Sequence, residues 1–96
     1  FNRAIAANPN FYRPYLFRGM LHLARGNLDI AGQDLEASNR LLPTADATFA
    51  LGEIAERQGD ARTALRHYEA VAGSRSPLAA AARERIARLQ GDITTP

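Results

Sequence analysis

The sequence predicts an all-α domain, and three observations support this. Alanine, the best helix former, occupies 19 of the 96 positions. The chain has one valine and no tryptophan, so it contains few of the side chains that β-strands favour. Glycine and proline divide the chain into short amphipathic segments of helical length.

Length and composition restrict the class of protein further. A chain of 96 residues without cysteine fits one domain, and it excludes disulfides and cysteine-ligated zinc. It has no run of about 18 apolar residues, so we expect no insertion into a membrane. We therefore expect one soluble domain.

The charge balance argues against a nucleic-acid partner. All 12 basic residues are arginine, and the formal net charge is only +2. This charge is too small for a strong phosphate-binding surface unless the arginines cluster on one face. An arginine- and alanine-rich chain without lysine is also typical of a GC-rich bacterial genome, so we expect a bacterial protein of the cytoplasm or the periplasm.

Start and stop signals place five helices along the chain. Glycines or prolines end the predicted helices, and Thr44, Asp60 and Ser76 are predicted N-caps. The predicted helices cover residues of about 13–25, 28–41, 45–58, 61–73 and 77–90.

An internal repeat runs through these helices. Gly19 recurs as Gly52, and Ala31 recurs as Ala64, in each case 33 residues further along the chain. A fixed period of this length is typical of helical-pair repeats that stack side by side. Gly19 and Gly52 lie within helices, where glycine costs about 1 kcal/mol relative to alanine. We expect a close helix crossing opposite Ala31 and Ala64 to offset this cost.

At these positions the chain resembles the tetratricopeptide repeat family. The positions that carry the resemblance are Tyr15, Gly19, Ala31, Leu35 and Pro43 in one copy and Leu51, Gly52, Ala64, Tyr68 and Val71 in the next. The resemblance implies antiparallel helix-pair repeats in an α-solenoid with a C-terminal capping helix. It divides the chain into the second helix of a truncated repeat (1–9), two repeats (12–44 and 45–77), a capping helix (77–90) and a tail (91–96).

Catalytic patterns are missing from the sequence. Neither His22 nor His67 has another histidine or a carboxylate three or four residues away, as a metal-ligand pair on a helix would need. No nucleophile and base pair, phosphate-binding glycine loop or set of paired carboxylates is recognisable. We expect no enzyme activity, no catalytic residues, no metal and no cofactor.

The resemblance implies a peptide-binding groove, because the first helix of each pair lines the concave face of such a stack. The candidate binding residues are Arg13, Leu16, Phe17 and Met20 in the first repeat and Asp46, Phe49, Glu53, Glu56 and Arg57 in the second. This surface changes from apolar to acidic, so we expect a protein or peptide segment that is apolar at one end and basic at the other. Phe49 lies at the junction, and an exposed aromatic there would anchor the segment.

Two alternatives remain open from the sequence. The chain could associate with a second copy as a homodimer, because a short repeat array leaves apolar surface to cover. It could also be a repeat tail that positions substrate in a larger bacterial enzyme, such as an envelope peptidase.

Overall fold

The described part of the chain consists of α-helices joined by short connections. A computed structural model describes residues 11–94, with side chains through Gly91, and it contains five α-helices and no strand within that range. The helices are α1 (Tyr12–Ala24), α2 (Leu28–Leu41), α3 (Ala45–Arg57), α4 (Ala61–Ala72) and α5 (Ala79–Thr94). The predicted all-α fold is confirmed. The helix predicted over residues 1–9 lies outside the described residues.

Neighbouring helices pack in chain order. Helix α1 packs on α2, α2 on α3, α3 on α4 and α4 on α5, and α1 also touches α3. Connections of three residues join the first four helices. Such short connections make consecutive packed helices antiparallel, so α1 and α2 form one hairpin and α3 and α4 form the next.

The turns that close α1 and α3 have the same backbone geometry. Gly26 and Gly59 have positive φ values of 81° and 79°. In each turn the backbone N–H of the residue after the glycine donates a hydrogen bond to a carbonyl in the last turn of the helix. Asn27 donates to His22 at 2.9 Å, and Asp60 donates to Ala55 at 2.8 Å. This is the Schellman motif, which needs a residue in the left-handed backbone conformation and therefore favours glycine. The 33-residue period of the sequence thus has a structural counterpart.

Side-chain caps fix the starts of α3 and α4. Thr44 Oγ1 accepts a hydrogen bond from the Ala47 amide at 3.2 Å, and Asp60 Oδ1 accepts one from the Thr63 amide at 3.2 Å. Two of the three predicted N-caps, Thr44 and Asp60, are therefore confirmed. Ser76 Oγ accepts from the Leu78 amide at 3.0 Å, but α5 begins only at Ala79.

Gly19 and Gly52 lie at close helix crossings, although their neighbours differ from the predicted alanines. A Cβ atom on Gly19 would lie 2.8 Å from Leu35 Cγ, and one on Gly52 would lie 2.7 Å from Tyr68 Cε1. Leu35 and Tyr68 are themselves 33 residues apart. The expectation of a close approach is right. The large residue four positions after each alanine makes the contact, because its side chain reaches across to the facing helix.

Helix α5 extends beyond the predicted stop at Gly91. It continues to Thr94, so the tail predicted over 91–96 is helical in its first four residues. Gly91 has no positive φ, and a glycine in helical conformation lowers helix stability without ending the helix.

Two buried clusters form the core. One joins α1, α2 and α3 around Leu16, Leu35 and Ile54, and the other joins α3, α4 and α5 around Tyr68, Val71 and Leu89. Helix α3 contributes to both. Within residues 11–94, none of the helices combines the length and the apolar character needed to cross a membrane.

Candidate binding groove

Side chains of α1 and α3, with one residue that immediately precedes α5, line an open groove of about 510 Å³. We call it the α1–α3 groove. Its lining residues are Leu16, Phe17, Met20, Asp46, Phe49, Glu53 and Leu78. Six of these seven residues were predicted as binding residues from the sequence.

The groove has an apolar floor and an acidic edge. Leu16 is buried, whereas 49% of Phe17 and 40% of Met20 remain exposed. Asp46 is exposed and Glu53 is partly exposed. Asp46 and Glu53 lie seven residues apart on α3, so their carboxylates share one face of that helix.

Phe49 lies between the floor and the acidic edge, but it is less exposed than predicted. Its ring centroid is 5.3 Å from that of Tyr68, with the ring planes tilted by 53°. The guanidinium carbon of Arg85 lies 5.4 Å from the centre of the Phe49 ring. Because α4 and α5 both contribute to its surroundings, Phe49 is half-buried and belongs partly to the second core cluster.

The acidic stretch of α3 has internal partners that were not predicted. Arg85 Nη2 lies 3.5 Å from Glu53 Oε2, and Arg85 Nη1 lies 3.5 Å from Glu56 Oε1. Arg88 also pairs with Glu56. Glu53, Glu56, Arg57 and Arg85 line a polar recess of about 240 Å³ beside the groove. The acidic end of the surface is thus partly neutralised by α5.

Glu56 also accepts a hydrogen bond from Tyr68. The phenol oxygen lies 2.8 Å from Glu56 Oε1. Burial disfavours the charged form of Glu56, but hydrogen bonds from Tyr68 and Arg88 outweigh it and lower the pKa of the carboxyl. Burial, and then the hydrogen bond to Glu56, raises the pKa of the Tyr68 phenol. At neutral pH the pair is therefore a neutral phenol and a carboxylate.

Two other predicted binding residues lie outside the groove. Arg13 is exposed on α1, and its guanidinium carbon lies 5.7 Å from the centre of the Tyr12 ring. Arg57 donates from Nη1 to the backbone carbonyl of Leu23 at 3.5 Å, near the end of α1. Arg57 thus contacts the C-terminal end of α1, a role that basic residues often have.

Three residues that matter for this surface were not predicted as part of it. Leu78 falls within the capping helix predicted over 77–90, and the sequence links neither Arg85 nor Arg88 to α3. Their partners lie 32 residues earlier in the chain for both Arg85–Glu53 and Arg88–Glu56. Opposite charges at this separation give no local sequence signal, because their contact depends on how α5 packs.

One further ion pair joins α1 to α2. Arg18 donates to both oxygens of Asp34, from Nε at 2.7 Å and from Nη2 at 2.6 Å. The Asp34 side chain is only 6% exposed. The hydrogen bonds to Asp34 raise the pKa of Arg18, despite the opposing effect of burial. Such bidentate pairing fixes the relative position of the two helices.

The histidines are separated in the fold. His22 Nδ1 lies 3.5 Å from the side-chain nitrogen of Asn27, near the end of α1. His67 lies on α4 in a second cleft, where burial and then the charge of Arg66 lower the pKa of its imidazole. Within residues 11–91, no three histidine, aspartate or glutamate side chains are grouped as a metal site would require.

No protein-family model, curated protein or solved structure matches this chain significantly.

Proposed function

We propose that this chain is a tetratricopeptide-type repeat module that binds a peptide segment of a protein partner in the α1–α3 groove. One observation supports the proposal most strongly. Six residues chosen from the sequence as binding residues, which come from two separate helices, line one groove with an apolar floor. The groove is open to solvent and large enough for one or two side chains of a partner.

The charge and apolar character of the groove define the partner. Phe17 and Met20 offer exposed apolar surface, and Asp46 and Glu53 place carboxylates along one edge. A segment with an apolar side chain next to a basic one complements this surface. In this proposal the chain provides adhesion and carries out no reaction of its own.

Binding of a displayed peptide library tests the proposal. Peptides selected on the wild-type chain should be enriched in basic residues next to large apolar ones. Phe49→Ala should weaken a selected peptide by about 1 to 3 kcal/mol, because a central aromatic contact is lost. Glu53→Arg should weaken it further by charge repulsion.

A charge-matched control separates a local effect from a general one. Glu69 lies exposed on α4, outside the groove. Glu69→Arg makes the same change in net charge as Glu53→Arg and should leave the affinity unchanged. Selected peptides that bind both groove variants as tightly as the wild-type chain would refute the groove as the binding site.

Self-association is the second candidate, and one comparison within the chain favours it. Leu21 is 38% exposed on α1, whereas its equivalent in the next repeat, Ile54, is 5% exposed. Phe17 and Ala50 differ in the same way, at 49% and 1%. Helix α3 buries these positions against the first hairpin. The equivalent face of α1 remains largely exposed. Sedimentation that depends on concentration and is abolished by Leu21→Glu would support a homodimer.

A further inference from the structure

Arg85 occupies a site that suits a planar cation. Its guanidinium lies over the Phe49 ring and within 3.5 Å of oxygens of both Glu53 and Glu56. An aromatic face beside two carboxylates favours guanidinium over ammonium, because guanidinium is flat, weakly hydrated and able to donate in two directions. We call Phe49, Glu53 and Glu56 the arginine site.

The contacts of Arg85 in this site are long. Its two carboxylate contacts are both 3.5 Å, and its contact to the Tyr68 hydroxyl is 3.4 Å. Charge-assisted hydrogen bonds are normally about 2.7–2.9 Å. Glu56 also accepts from Tyr68 and pairs with Arg88, so it keeps two partners if Arg85 moves away. The contacts of Arg85 in the arginine site are therefore weak, and little interaction energy is lost when another cation replaces it.

The arginine site is continuous with the α1–α3 groove. Phe49 and Glu53 belong to both, and Leu78 lines the groove immediately before α5. The C-terminal part of the chain thus already presents one apolar and one cationic side chain to this surface. A partner with the same chemistry would meet the same groups.

We propose that the groove takes a segment in which an arginine lies close to a large apolar residue. The apolar side chain contacts Leu16, Met20 and Leu78, and the arginine replaces Arg85 over Phe49 and against Glu53. Arg85 then competes with the partner's arginine for the arginine site, so the partner must supply a guanidinium to replace it. This inference rests on the proposed function, since it names the chemistry of the partner at the same groove.

Short synthetic peptides test the inference on the full chain. Each fluorescein-labelled peptide contains one leucine and one arginine separated by one to four alanines, and matched peptides carry lysine or citrulline instead of arginine. Fluorescence anisotropy should show the arginine form binding most tightly at the best spacing, with lysine about two- to fivefold weaker and citrulline weaker still. Equal affinities of the three forms would overturn the inference.

Arg85→Gln removes the guanidinium and leaves a shorter, uncharged polar side chain on α5. It should tighten the arginine peptide about two- to fivefold. Arg83→Gln is the matched control, because Arg83 lies exposed on the same helix and donates to the Ala72 carbonyl, away from the arginine site. It should leave the affinity unchanged, and an equal gain in both variants would overturn the exchange by showing that loosening of α5 is sufficient. Thermal melts followed by circular dichroism establish that both variants are folded, and the three-peptide comparison on the wild-type chain needs no variant.

The outcomes separate this inference from the proposed function. If no peptide binds, and library selection also fails, the proposed function itself is wrong. If peptides bind and Phe49→Ala weakens them, but arginine has no advantage and Arg85→Gln has no effect, only the inference fails. A dimer that Phe49→Ala abolishes would place a second copy in the groove and would also overturn the inference.

Discussion

Tyr68 fills the space left by Gly52 and donates its phenol hydrogen to Glu56. The Tyr68 ring lies so close to α3 that a Cβ on Gly52 would be 2.7 Å from it, and its hydroxyl lies 2.8 Å from Glu56 Oε1. Tyr68 is fully buried, yet its ring also contacts Phe49. One core residue therefore determines how α3 and α4 cross and how the binding surface is supported.

Gly52→Ala should lower the free energy of unfolding by about 1 to 3 kcal/mol, because the added methyl group overpacks against a buried ring. Thermal or urea unfolding measures this change. Gly32 is the control, since it lies in α2 with nothing within 4 Å of an added Cβ. Gly32→Ala should raise stability by up to about 1 kcal/mol through helix propensity. Equal effects of the two substitutions would contradict the close crossing.

Acid should weaken the contact between α3 and α4. The pKa of Glu56 is lowered in the folded state, so its stabilising effect is present above its ordinary pKa of 4.5 and is lost as the pH falls through the folded value. Urea unfolding at pH 7 and pH 3 should show the wild-type chain losing more stability than Glu56→Gln. A stability difference between the two chains that is the same at both pH values would contradict this role.

The ion pair between α1 and α2 should depend on both of its members. Arg18→Leu leaves the Asp34 carboxylate nearly buried without its main partner, which should cost about 2 to 3 kcal/mol. The double variant Arg18→Leu with Asp34→Leu should recover most of this loss, because both charges are then removed. The second repeat has Leu51 and His67 at these positions. Additive losses in a double-mutant cycle would show that the pair is not coupled.

Ser38 should be replaceable with a gain in stability. Its hydroxyl is fully buried on α2 and has no hydrogen-bond partner in the described part of the chain. The equivalent residue in the second repeat is the apolar Val71. Ser38→Ala should raise the free energy of unfolding by about 1 kcal/mol, since a buried unpaired hydroxyl is removed. Ser76→Ala, which removes a hydroxyl that accepts from the Leu78 amide, should lower it.

Local features of the sequence predicted local structure well. The starts of α3 and α4 follow from Thr44 and Asp60, because a cap bonds to an amide three residues further on. The turns at Gly26 and Gly59 follow from the need for positive φ. The repeat pattern also predicted that residues of α1 and α3 share one surface, and the structure places six of the nine candidates in one groove.

Long-range contacts were predicted less well. The sequence indicated close packing at Gly19 and Gly52 but not that Leu35 and Tyr68 make it, since side-chain reach depends on the crossing geometry. Phe49 was expected to be exposed. The position of the Arg85 guanidinium over its ring depends on where α5 packs. For the same reason the sequence indicated a local partner for Glu53, Arg57, four residues further on, whereas the structure pairs Glu53 with Arg85. Each of these differences involves residues that a one-dimensional pattern cannot bring together.

The groove contains the single methionine of the chain, Met20, which allows one direct measurement of binding there. A sample with a ¹³C-labelled methionine methyl group gives one methyl resonance in an NMR spectrum. Titration with the tightest leucine–arginine peptide should shift this resonance in step with the fluorescence anisotropy and should give a nuclear Overhauser effect between the Met20 methyl and the peptide leucine. A resonance that stays in place while the peptide saturates the chain would contradict binding in the α1–α3 groove.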